Sequence, residues 1–136
     1  MDPALSMLVA IEDPADASAA LRFAGDLASR GSVDLAVLHV VPAEGSDEMH
    51  RRRLVDAHAA LVGLLQALDI PGESLVRSMP PGSDIASVIL RVAQERGDDF
   101  VAVTSKRASS TSGRLLGSTA QHLLRAGRYP VLVVPP

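Results

Sequence analysis

The segment VAVTSKRASSTSGRLLGST, residues 101–119, holds the residues best placed for chemistry. It reads as an apolar strand, a loop of small polar residues, and a Gly-Ser-Thr at the head of a helix. A helix N-terminus presents free N–H groups and the positive end of the helix dipole, so Gly117, Ser118 and Thr119 suit an anion such as a phosphate. Lys106, Arg107 and Arg114 add positive charge to the same loop. Arg107 could grip a phosphate or lie across the cleft and fill it. Thr104 and Arg107, however, stand where a phosphate cradle takes glycine, whose missing Cβ lets the backbone approach a ligand and adopt φ > 0 without cost. A side chain forced into such a conformation costs about 1–3 kcal/mol. Two further acids, Glu12 and Asp13, follow the first apolar run and can reach the same region.

The remaining chemistry-bearing residues form no constellation. His39, His50, His58 and His122 are scattered, and His50 and His58 lie too far apart on one helix for a metal pair at i and i+4. Arg51, Arg52 and Arg53 read as a solvated helix face. Ser109, Ser110, Thr111 and Ser112 read as polar loop. No serine sits in a nucleophile-elbow pattern. The residues therefore predict a protein that is not an enzyme and carries no metal site of its own.

Elements of two periods must position these groups. Apolar runs at residues 7–11, 33–41, 73–79, 99–104 and 129–134 read as strands, several of them continuous enough to be buried on both faces. Between them, Ala20, Ala24, Leu27 and Ala28 share one helical face, as do Leu54, Ala57, Leu61, Leu64, Leu65 and Leu68. A third helix carries Ile85, Val88, Ile89, Val92 and Ala93, and a fourth is STAQHLLRA. Asp16 is the expected N-cap of the first helix. The β-α alternation predicts an α/β fold, an open five-stranded parallel sheet in the order 3-2-1-4-5 with helices on both faces. Ligands of such sheets sit beyond the C-terminal strand ends at the switch point, here Glu12-Asp13, Val40-Val41 and Thr104-Ser105. The long loop at 105–116 is the one irregular segment.

Composition narrows the function. The 136 residues form one expected domain, 1–136. Aromatics are 2%, so the core must be aliphatic and no stacking platform for single-stranded nucleic acid exists. A net charge of −3 argues against nucleic-acid and membrane-surface partners. Cysteine is absent, which excludes disulfides and thiolate chemistry. Asp2 and the short, interrupted apolar run after it do not fit a signal peptide, and a cytoplasmic protein is expected.

The chain resembles the universal stress proteins of the UspA-like family. LVAIEDPADASAALRFA is similar to that family's opening LVAVDGS segment, VLHVV and DDFVAV to its second and fourth strands, and GSTAQHLLRAGRYPVLVV to its C-terminal segment. The resemblance implies an adenine-nucleotide alpha-hydrolase-like fold and a homodimer through the last strand, Val131 to Val134. Nucleotide-binding members carry the motif G-x2-G-x9-G-[ST]. Gly117-Ser118 fits its end, but the two leading glycines fall on Thr104 and Arg107, the family's nucleoside-holding Asp on Glu12, and its following Gly on Asp13.

Two functions follow. The first is a stress-response domain acting by binding and dimerisation, with ATP binding weak or lost together with the G-x2-G part of the motif. The alternative is an adenine-nucleotide binder for ATP or AMP, with Mg, a reading that extends to a slow ATPase. For binding, the residues concerned are Glu12, Asp13, Val40, Thr104, Lys106, Arg107, Gly117, Ser118 and Thr119.

Overall fold

The apolar run Leu5–Ile11 (β1) lies at the centre of a five-stranded, all-parallel sheet. The computed structural model of the chain describes residues 5–31, 33–107 and 114–135, with only the backbone of 106, 107, 114 and 115. On one side of β1 come Val33–Pro42 (β2) and then Glu73–Met79 (β3). On the other come Phe100–Thr104 (β4) and the final strand, Val131–Val134 (β7). A two-residue antiparallel pair, Lys106–Arg107 (β5) with Arg114–Leu115 (β6), stands apart from the sheet. The order β3-β2-β1-β4-β7 is the expected 3-2-1-4-5.

Period-2 side-chain alternation divides the core into two layers. Leu8, Ala10, Leu38, Leu75 and Val103 face one way, against Ile85–Arg96 (α3) and Ser118–Ala126 (α4). Met7, Val9, Val37 and Ala102 face the other, against Ser18–Ser29 (α1) and Asp47–Ala67 (α2). Both buried layers are aliphatic, as the scarcity of aromatics requires. Truncating a fully buried member such as Leu8 to Ala should cost about 2–5 kcal/mol.

Helix ends follow local chemistry. Ser46 caps α2 by accepting from the Met49 N–H at 3.2 Å, and Asp84 caps α3 by accepting from the Ser87 N–H at 2.8 Å. Gly97 and Gly127 end α3 and α4 at φ 72° and 63°, the left-handed conformation that a Cβ disfavours. The expected Asp16 cap of α1 is incorrect. Asp13 instead accepts from the Ala15 N–H at 2.9 Å and opens a 3-10 turn, Pro14–Asp16, and α1 starts from Ala17 without a side-chain cap. Pro14 explains the difference: its fixed φ starts a helical turn early, and the nearest upstream acid takes the cap. The expected irregular loop at 105–116 is corrected at its ends, which pair as β5 and β6. Ser109, Ser110, Thr111 and Ser112 lie outside the described residues.

Candidate functional site

β1 is followed in sequence by β2 on one side, while β4 enters on the other, so the crossovers leave opposite sides of the sheet between β1 and β4. A cavity of about 410 Å³ opens there, beyond the C-terminal strand ends. Its strand-side lining is Ala10, Ile11, Val40 and Val103, and α3 contributes Ile85 and Ile89. Its rim is polar: Glu12, Asp13, Asp16, Thr104, Ser105, Gly117 and Thr119. An apolar interior with a few polar groups at the mouth, in a volume between about 300 and 1,000 Å³, is the usual form of a small-molecule site.

Three features set the chemistry of the rim. The Thr119 hydroxyl donates to Glu12 Oε1 at 2.5 Å, joining the end of β1 to the first turn of α4. Gly117, the N-cap of α4, has no side chain to offer, so no side chain caps that helix. Finally, Thr104 Oγ1 and Ser105 Oγ are buried without a hydrogen-bond partner among the described residues, although Ser105 is only 9% exposed. A buried hydroxyl without a partner is costly, and both residues belong to the cavity lining.

Neighbouring groups hold this end of the sheet. His39 Nδ1 lies 3.2 Å from the Ile11 carbonyl, which only accepts, so the ring must donate there. Asp84, one residue before Ile85, sits 3.5 Å from His122 Nδ1 on α4. Its carboxyl is held below the usual 3.8, chiefly by the Ser87 backbone N–H, then by the Ser87 side chain and the His122 charge. Among the described residues, no group of three or more His, Asp or Glu could hold a metal ion. Arg51, Arg52 and Arg53 are exposed on α2, and no helix of the described residues is long and apolar enough to cross a membrane.

Six of the nine residues singled out from the sequence converge on this cavity: Glu12, Asp13, Val40, Thr104, Gly117 and Thr119. Ser118 is exposed and is not part of the lining. The side chains of Lys106 and Arg107 lie outside the described residues. The conformational penalty expected at the two lost glycines does not arise. Thr104 is paired with Val134 as the last residue of β4, Arg107 is in β5, and Asp69 is the only described non-glycine residue with positive φ. Both backbones are in strand pairs, a conformation that does not call for glycine. Ile85 and Ile89 were missed. Their i, i+4 spacing at the start of α3 was legible, but nothing local distinguishes a cavity wall from ordinary core.

The family model described as the universal stress protein family matches residues 5–135. Among solved structures, a universal stress protein family member from Burkholderia pseudomallei is 26% identical, with 96% of each chain covered and a TM-score of 0.59. The Archaeoglobus fulgidus universal stress protein in complex with dAMP shares 20% identity over 98% of each chain, with a TM-score of 0.67. An Arabidopsis thaliana universal stress protein family protein with AMP bound shares 17% identity over 96% of this chain and 91% of its own, with a TM-score of 0.62. Among curated proteins, none matches. With the family model covering nearly its whole length, on a sheet of the predicted order, this chain belongs to the universal stress protein family.

Proposed function

We propose that the chain is a stress-response binding protein that works as a homodimer and not as a catalyst, and that its cavity receives the nucleoside part of an adenine nucleotide while holding a triphosphate weakly. The observation that carries this reading is the cavity itself: about 410 Å³, apolar within, with Thr104 and Ser105, whose buried hydroxyls have no hydrogen-bond partner among the described residues, in its lining. The bound dAMP and AMP of two fold relatives support an adenine ligand. A weak hold on the outer phosphates is supported by the sequence, in which Thr104 and Arg107 stand at positions where the motif of nucleotide-binding members has glycine. Dimerisation through Val131–Val134 is supported by the position of β7, which among the described residues pairs on one side only, with β4.

Thermal-shift titration with adenosine, AMP and magnesium-ATP tests the proposal. Saturable stabilisation by adenosine or AMP, following the ligand-linkage relation, with a clearly smaller effect of ATP, is the expected result. ATP stabilising most would refute the weakened triphosphate site. No ligand stabilising at all would refute the cavity's assignment.

A further inference from the structure

We infer that the outer groove between α3 and α4 is a docking site for an acidic peptide segment of a partner protein, with carboxylates flanking an apolar side chain. The groove encloses about 440 Å³ and shares no lining residue with the cavity described above. α3 contributes Ser87, Leu90, Arg91 and Gln94, α4 contributes Ala126, and Arg128 follows the end of α4. Helical period separates the two sites. Ile85 and Ile89 line the cavity, whereas residues 87, 90, 91 and 94 share the opposite side of the same helix. From Ser87 to Gln94 the wall runs about 10 Å at about 1.5 Å per residue, the reach of about three extended residues rather than of one small ion.

Charge complementarity selects the occupant. No carboxylate lines the groove, and Arg91 and Arg128 are exposed and make no ion pair among the described residues. His122, also in the lining, is turned to Asp84 at 3.5 Å, so the two guanidinium groups are the cations left to a ligand. Their planar forks match carboxylates. The chain's net charge of −3 repels an acidic partner at a distance, but physiological salt screens that repulsion beyond about 8 Å, and the local arginines decide. Half-buried Leu90 and Ala126 give the groove an apolar part that accepts an aliphatic side chain. No aromatic residue lines it, so it offers no stacking platform for a nucleobase. Arg51, Arg52 and Arg53 are a denser run, but α2 lies on the other face of the sheet, with Asp47, Glu48 and Asp56 exposed within a turn of them.

Fluorescence anisotropy with the labelled peptide Glu-Glu-Leu-Glu-Glu-Leu-Glu-Glu at physiological salt tests this. The wild type should bind it saturably. Arg91→Glu and Arg128→Glu, both at exposed positions that leave the fold intact by circular dichroism, should each weaken binding by roughly tenfold or more. Arg52→Glu makes the same change in net charge on the other face of the sheet and should leave the affinity as it is. A peptide with alanine in place of both leucines should bind several-fold more weakly. Absence of binding at millimolar peptide, or unchanged affinity in Arg91→Glu and Arg128→Glu, would overturn the site. An Arg52→Glu loss as large as that of Arg91→Glu would reduce the binding to unspecific attraction and overturn it equally. The alanine peptide binding as tightly as the leucine one would mark a site for anions in general and overturn the peptide occupant.

Discussion

The Ser6 hydroxyl donates to Asp98 Oδ1 at 2.6 Å, joining the start of β1 to the turn that precedes β4. The Asp98 side chain is fully buried and also accepts from Arg96 Nε at 3.2 Å, while Arg96 Nη1 reaches Glu73 Oε2 at 2.8 Å. Three strand starts are therefore tied together at the end of the sheet opposite the cavity. Asp98→Ala leaves Arg96 and Ser6 without their buried acceptor and should cost about 2–4 kcal/mol. Urea denaturation checks the loss, and a change under about 1 kcal/mol would mean that the network contributes little.

Asp84 supplies a pH-dependent term. Its folded carboxyl titrates below the ordinary 3.8, so its contribution is complete above that value and is lost as the pH falls through and below it. Asp84→Ala should lower stability at pH 7 by about 1 kcal/mol, the usual worth of an N-cap. The gap between the two proteins should narrow as the wild-type carboxyl protonates. Equal gaps at pH 7 and pH 3 would contradict the assignment.

Thr104→Val should separate stability from binding. The substitution removes the buried, unpartnered Oγ1 at nearly constant shape, so stability should stay level or rise by about 1 kcal/mol. Adenosine affinity should fall, because a rim contact is lost. Thermal melts with and without ligand read both effects, and affinity equal to the wild type would show that the hydroxyl does not face the ligand.

The last strand should behave as an interface. Val131, Leu132, Val133 and Val134 are all only partly buried in the single chain. Val133→Lys should dissociate a homodimer in sedimentation velocity while helical circular dichroism persists. A wild-type monomer at high micromolar concentration would reject the interface.

Strand order was legible because continuous apolar runs alternate with helices of a different period, and the C-terminal segment kept its strand, its Gly-Ser-Thr helix start and its final strand. The cavity's rim was legible for the same reason: strand ends at a switch point are fixed by topology once the order is known. What escaped was decided by contacts distant in sequence. The Thr119–Glu12 bond links residues 107 apart, and nothing near either residue announces it. The N-cap near α1 shifted to Asp13 because Pro14 starts a turn early. Thr104 looked strained as a lost glycine, but its backbone conformation is set by pairing with Val134 on another strand.

The most direct test of nucleoside binding is residue-resolved: amide chemical-shift mapping of the labelled protein during an adenosine titration. The account predicts saturable shifts concentrated at Ile11, Glu12, Val40, Thr104, Ser105 and Thr119, with Ile85 and Ile89 moving as the apolar wall. Shifts absent at millimolar adenosine, or clustered away from the C-terminal ends of β1 and β4, would contradict it.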